Sequence, residues 1–301
     1  MLCSYDIINL VSVDERIGKM EVLSNCKEKI QEADIVLIGF GREFNVKRED
    51  ILRNEDRYTL LKLDETQLTD LEKEWLELAI MYDCLNSGKC DIIEKRKKLY
   101  NKVSNYLSSM NKNNYFVVTT CFDDIITYST FDKDRLVAPC GTLNLMKCDR
   151  GCFKHVYETE KVYENINGIL NNYYKDGYVE QEKMFDELRE AMPQCPMCKQ
   201  VMSANIVKSN NYSEEGYREQ WDSYMSWLQK TLNRKLVMLE LGEGFETPTV
   251  IRWPFEKVAA VNNKATLIRV NEKVWQISED IEAKAIPLNM SGVAFIEEIV
   301  E

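Results

Sequence analysis

Two short apolar runs that end on glycine limit most strongly how this chain can fold. Asp34-Ile35-Val36-Leu37-Ile38 leads into Gly39-Phe40-Gly41, and Leu236 to Leu241 leads into Gly242-Glu243-Gly244. Runs this short and this rich in branched side chains suit strands buried on both faces, the habit of a parallel sheet. Glycine at the carboxyl end of such a strand lets the backbone come close to a phosphate, and the alternative is an ordinary tight turn. Tyr115–Thr119 is a third run, followed by the polar turn Thr120-Cys121-Phe122-Asp123-Asp124. A fourth, Ala265–Val270, ends on Asn271, and a fifth covers Ala283–Leu288.

The stretches between these runs carry helical spacing. Apolar residues recur among charges over 14–33 and 213–231, and a terminal helix begins at about Ser291. Residues 66–111 read as two helices, opened by a Thr69 to Glu72 capping box and split at Asn86-Ser87-Gly88. Another helix covers Gln181–Ala191. Strands alternating with helices predict an α/β fold: a doubly wound, mostly parallel, Rossmann-like sheet with ligand groups at the carboxyl ends of its strands.

Four of the ten cysteines are spaced for metal: Cys148 and Cys152 across one turn, Cys195 and Cys198 across another. Tetrahedral zinc takes four thiolates from two such knuckles. The alternative is four buried or redox-active thiols, and His155, the single histidine, is a less suitable substitute ligand. The expected organisation is therefore a main domain of 1–147 and 202–301, with a helical insertion at about 66–111. A small zinc-bearing lobe of 148–201 carries a further insertion between the knuckles.

One histidine in 301 residues rules out two-histidine zinc hydrolases and leaves a Ser-His-Asp triad only His155, which follows no nucleophile elbow. A formal charge of −11 argues against nucleic acid, since little would release counterions from a phosphate backbone. A basic peptide suits that charge better, and acidity also simply keeps a protein in solution. No apolar run approaches the roughly 20 residues of a membrane helix. The first residues show no basic start followed by an apolar run, so a cytoplasmic location is expected.

Taken in order, these motifs resemble the sirtuins, NAD-dependent protein deacylases and ADP-ribosyltransferases, over about residues 33 to 300. Gly39-Phe40-Gly41 stands where that family has Gly-Ala-Gly, and Val117-Val118-Thr119-Thr120-Cys121-Phe122-Asp123 is similar to its Val-Thr-Gln-Asn-Ile-Asp. Pro139-Cys140-Gly141 lies at the family's His-Gly, and Cys195-Pro196-Met197-Cys198 resembles its second knuckle. The resemblance implies NAD at Gly39, Gly41, Thr119, Asp123, Gly242, Gly244 and Asn271, with Asp123 receiving the nicotinamide amide and Cys140 at the ribose. It implies zinc on Cys148, Cys152, Cys195 and Cys198, and an acyl-lysine substrate.

The departures fall on the chemistry. Cys140 replaces the histidine that serves as general base, a role that needs a pKa near neutrality. Cys121 replaces an asparagine. Glu243 replaces a hydroxyl residue that would face phosphate, and its charge calls for compensation by Arg42 or Arg252. Two classes of function follow: an enzyme of deacylase or ADP-ribosyl-transfer type, or an inactive module that binds NAD, ADP-ribose or a protein partner.

Overall fold

The structure is a computed structural model that describes residues 4–53, 68–173 and 181–300, with side chains described from 18 onward except at 181 and 182. Its first elements are α1 (Ser4–Glu32), β1 (Ile35–Phe40), α2 (Arg48–Leu52), α3 (Asp70–Ser87) and α4 (Asp91–Ser109). Then come β2 (Tyr115–Thr119), β3 (Leu136–Val137), β4 (Gly141–Lys147), β5 (Tyr157–Glu158), α5 (Glu160–Tyr173), α6 (Gln181–Ala191) and β6 (Ser203–Ile206). The chain ends with α7 (Arg218–Gln229), β7 (Leu236–Leu241), α8 (Arg252–Val261), β8 (Ala265–Val270), β9 (Ala285–Leu288) and α9 (Gly292–Val300). Two compact units result. The first is Met1–Glu43, Lys102–Thr120 and Tyr224–Glu301; the second is Phe44–Asn101 and Cys121–Ser223.

The first unit is built on five parallel strands in the order β2-β1-β7-β8-β9. Every residue of β1 and β7 is buried, as their unbroken apolar runs require of strands covered on both faces. From β1 the chain places β2 on one side and β7 on the other, so the order reverses between β1 and β7. A reversal of this kind leaves a crevice outside the carboxyl ends, where open α/β sheets take their ligands. Gly39 has another use. A methyl group there would meet Ile251 at 2.6 Å and the Phe255 ring at 3.1 Å, so its bare backbone lets α8 lie close on the sheet.

Beneath α8 the sheet carries a buried ion cluster. Glu240 of β7 accepts from Nε and Nη2 of Arg269 on β8 at 2.7 and 2.8 Å and from Arg252 of α8 at 3.3 Å. Arg269 also reaches Glu256 at 2.7 Å and the Gln276 carbonyl at 2.9 Å. Arg252, one of the two arginines considered as compensation for Glu243, is thus engaged by Glu240 and stacks on Phe245 at 4.4 Å.

The second unit pairs β4 antiparallel with β5 and β6, and its register shifts between Thr142 and Met146. Gly141 opens β4 at φ 98°, and a Cβ there would overlap the Asn205 carbonyl, so this position requires glycine. Of the helical stretch read over 66–111, residues 66 and 67 lie outside the described residues. The rest forms α3 and α4, with the Thr69–Glu72 capping box present and Gly88 closing α3 at φ 65°. Trp75 of α3 packs on Tyr163 of α5 and donates to the Met202 carbonyl at 2.7 Å. These contacts make the second unit larger than the 148–201 lobe read from the cysteines alone, because α3 and α5 pack together.

Candidate functional site

At the carboxyl ends of the first unit's strands, the two glycine turns meet. Gly41 donates to the Leu241 carbonyl at 2.8 Å, Gly242 donates to the Val270 carbonyl at 2.8 Å, and Glu43 donates to the Gly242 carbonyl at 3.3 Å. A Cβ on Gly41 would overlap the backbone of Gly242 and Glu243, so the contact is backbone on backbone. Gly242 sits at φ 63°, and a side chain there would meet the Glu43 carboxylate at 2.5 Å. That carboxylate caps α9, accepting from Gly292 N at 2.9 and 3.1 Å, where the helix N-terminus favours negative charge. Around Gly244 there is open space, with no atom within 4 Å of where a Cβ would lie.

Glu243 occupies the centre of this arrangement. Its Oε2 accepts from Thr120 Oγ1, just past the end of β2, at 2.8 Å. Since β1 lies between β7 and β2, the side chain crosses the end of β1. The residue is 1% exposed, and its Oε1 is buried with no hydrogen-bond partner among the described residues. Burial raises its pKa to about 7, assisted by Glu240 and Glu246, while the Thr120 bond and the Arg42 charge act against the rise. Arg42 thus acts as a compensating charge, with Arg252 also interacting with Glu243, although Arg42 lies 3.9 Å from Glu246 as well.

The other residues named for this unit have internal roles. Thr119 is buried and donates to the Phe40 carbonyl at 3.1 Å. Asn271 ties two strand ends together: its amide donates to the Glu243 carbonyl at 3.0 Å, and its Oδ1 accepts from Lys273 N and Val274 N at 2.8 and 3.0 Å. It shapes the turn that carries Gly244.

The second unit holds a cavity of about 560 Å³ with Asp123, Asn45, Phe122, Arg48 and Lys208 in its wall. Asp123 accepts from Val46 N at 2.6 Å and from Ile125 N at 3.1 Å, while Asn45 Oδ1 accepts from Phe122 N at 3.0 Å. Two loops are thereby held to each other around a buried carboxyl. Burial lifts the Asp123 pKa to about 6, and those backbone donors restrain it. Arg48 is held by Glu77 at 2.9 Å and Glu74 at 3.2 Å, and Lys208 lies 5.3 Å from the Phe122 ring centroid.

Sequence reasoning missed Asp124. This residue takes φ 58°, and its Oδ2 accepts from Thr142 Oγ1 at 2.8 Å and Leu143 N at 2.7 Å. Burial pushes its pKa to about 7. Its signal was the doubled aspartate in the turn that follows a buried strand. Cys140 is buried at the turn into β4, where its carbonyl accepts from Val207 N at 2.9 Å and Tyr212 OH donates to the preceding Pro139 carbonyl at 2.8 Å. It is not among the residues lining the cavity.

The four cysteines converge as their spacing required. The ligand atoms of Cys148, Cys152, Cys195 and Cys198 all lie within 4.8 Å of one another, and the Cys148 and Cys198 sulfurs are 3.7 Å apart. A tetrahedron of thiolates about 2.3 Å from an ion has edges of about 3.8 Å. Each knuckle turns at a left-handed residue, Gly151 at φ 68° and Lys199 at φ 60°, and Cys198 N donates to Cys195 Sγ at 3.5 Å. This set can hold a metal ion. Among the described residues no helix is long and apolar enough to cross a membrane.

No family model matches the chain. Over 294 residues it is 22% identical to a protein ADP-ribosyltransferase of Staphylococcus aureus, covering 92% of this chain and 85% of that protein. A probable bifunctional ADP-ribose hydrolase/ADP-ribosyltransferase of Fusarium oxysporum f. sp. cubense is 27% identical over 160 residues, which are 52% of this chain and 25% of that protein. Among solved structures, Sir2Tm bound to a propionylated peptide covers 92% of this chain and 96% of its own, with TM-score 0.48 and 12% identity.

Proposed function

We propose that this chain transfers ADP-ribose from NAD to an acceptor group on a protein. The observation that carries this reading is the likeness to the Staphylococcus aureus protein ADP-ribosyltransferase, which runs through nearly the whole of both chains. The reversal of strand order between β1 and β7 supports it. Close-packed glycine turns lie at that point, with open space beside Gly244. On this reading Gly41, Gly242 and Gly244 cradle the NAD diphosphate, and Asn271 holds the turn they form. Gly39 and Thr119 support the sheet beneath. Asp123 is given the nicotinamide amide and Cys140 the ribose.

The reaction breaks the bond between the nicotinamide nitrogen and the ribose C1′. Nicotinamide leaves neutral, the acceptor's lone pair forms the new bond at C1′, and the acceptor's proton passes to solvent. Such a step depends mostly on orientation and on stabilising charge. Deacylation needs in addition a base of near-neutral pKa at the ribose, and Cys140 is a thiol in place of imidazole. Transfer is therefore favoured over deacylation of an acyl-lysine or basic peptide. Zinc fits the four thiolates and would be structural, since four protein ligands leave no open position. Free thiols and a structural zinc suit a reducing compartment, and we place the protein in the cytoplasm.

The test is nicotinamide release and transfer of labelled ADP-ribose from NAD, with protein acceptors and separately with acyl-lysine peptide, beside Asp123→Ala and Cys140→Ala. Label on protein that is lost in Asp123→Ala supports transfer. Release that depends on the acyl peptide would turn the reading to deacylation. A second reading, an inactive nucleotide-binding module, is favoured by the Glu243 carboxyl lying across the end of β1. Melting raised by NAD or ADP-ribose without nicotinamide release would establish it.

A further inference from the structure

Among the described residues, Glu243 is the one buried acid at the strand ends whose hydrogen bonding is incomplete. Glu43 has both oxygens on Gly292 N, and Glu240 has both on Arg269. Glu243 has one oxygen on Thr120 and the other buried without a partner. A carboxylate left that way forfeits its hydration and gains little in return, and the cost is greater for a charged group than for a neutral one. A carboxylic acid in the same place loses less, and it gains a hydroxyl hydrogen to donate.

We propose that Glu243 is a positioning residue for the nucleotide: the diphosphate is seated on the Gly41 and Gly242–Gly244 turns only when Oε1 carries a proton, which it donates to a phosphate oxygen. This rests on the nucleotide reading above. It explains how an acid can stand at a phosphate turn, since a neutral carboxyl supplies an O–H much as a serine or threonine would. The proton comes from solvent, is bound as the nucleotide binds, and returns when it leaves.

The charged groups around Glu243 agree with a carboxyl that readily stays neutral. From its own strand and turn, Glu240 and Glu246 oppose its ionisation. From the end of β1, Arg42 favours ionisation, but Glu246 lies 3.9 Å from that guanidinium and shares it, while the Glu43 carboxylate is turned to α9. From α8, Arg252 also favours ionisation, but that guanidinium is held by Glu240 at 3.3 Å and by the Val274 carbonyl at 2.9 Å. From β2 it meets the Thr120 hydroxyl, and from the end of β8 Asn271 bonds to its carbonyl, both without charge. A dianionic diphosphate would raise the carboxyl's proton affinity further. Nucleotide binding is then expected to weaken as pH rises above about 7, by up to tenfold for each pH unit.

The experiment is the Kd of ADP-ribose by calorimetry from pH 6 to 9 for the wild-type chain and for Glu243→Gln, whose amide donates at every pH. Affinity that falls with pH in the wild type and stays level in the variant, with the variant the tighter binder at pH 8.5, is the expected result. A second measurement guards against misfolding of the variant. Wild-type binding at pH 8 in two buffers of different ionisation enthalpy should show uptake of close to one proton. Binding at unchanged affinity across the range, with no proton taken up, would overturn the inference and leave the nucleotide reading intact. No binding by wild type or folded variant at any pH would overturn that reading, and the inference with it.

Discussion

The cysteine cluster of the second unit and the strand ends of the first gather polar groups on opposite principles. At the cluster four sulfurs face one another inside 4.8 Å, a set that can hold an ion supplied from outside. At the strand ends the groups largely satisfy one another: Glu43 caps α9, Asn271 holds the Glu243 carbonyl, and Glu243 accepts from Thr120. A donor set made for an ion depends on that ion for its stability. A set made from internal bonds stands without one, and what it leaves over among the described residues includes one buried oxygen of Glu243.

The largest effect should come from taking the ion away. Metal analysis of protein purified without added zinc should find one zinc per chain. A strong chelator should then unfold the second unit, since structural zinc sites of this kind contribute on the order of 10 kcal/mol to folding. Cys195→Ala should do the same without chelator. The contrast predicts that nucleotide, in place of metal, shifts melting only modestly. Loss of all four thiols with no change in melting would remove the metal site and with it half of the comparison.

Next in size is the ion cluster beneath α8. Replacing Glu240 by Leu leaves the Arg269 and Arg252 guanidinium groups buried without their shared carboxylate. Breaking a buried pair in this way costs about 3–5 kcal/mol. Urea unfolding should show it as a lower midpoint. A midpoint within experimental error of wild type would mean that the two arginines find other partners.

These examples also show what could be read from sequence. The strands were legible at β1, β2, β7 and β8 because burial on both faces leaves an unbroken apolar run, and the convergence of the four cysteines was legible because two paired cysteines recur at knuckle spacing. The capping box at Thr69 and the glycine that closes α3 were legible for the same reason, as local chemistry. Gly39 was not. Its pattern read as a phosphate turn, whereas its contacts are with Ile251 and Phe255, side chains more than two hundred positions away. Glu243 and Asp124 were read as a departure and as a turn residue. Their roles depend on Thr120, Thr142 and Leu143, partners that only the fold brings together.

Gly41→Ala tests whether the strand-end turns must touch. Its Cβ would have to push aside the backbone of Gly242 and Glu243, and overpacking of this kind costs about 1–3 kcal/mol. Parting the turns should weaken ADP-ribose binding by at least about tenfold, equivalent to about 1.4 kcal/mol. The metal content should be untouched. Normal nucleotide affinity in a destabilised Gly41→Ala protein would show that the turns meet for packing alone.

The smallest effect, and the one that returns the comparison to the second unit, concerns Asp124. Burial raises its pKa from 3.8 to about 7, with Asp123 adding to the rise and the Thr142 hydroxyl and Leu143 N–H opposing it. An acid whose pKa is higher folded than unfolded binds its proton more tightly when folded. Its contribution is then complete below the unfolded value of about 4 and is lost as pH climbs to about 7. Asp124→Asn keeps the shape and an acceptor for Leu143 N but does not titrate. At pH 4 to 5 the variant should be less stable by about 1 kcal/mol, the worth of an imperfectly replaced hydrogen bond. That gap should narrow or reverse by pH 7 as the wild-type acid ionises in place. Melting temperatures of both proteins measured across pH 4 to 8 decide it. If the two curves run parallel, Asp124 does not titrate in this window, and the second unit holds its buried acid as firmly charged as an ordinary surface carboxylate.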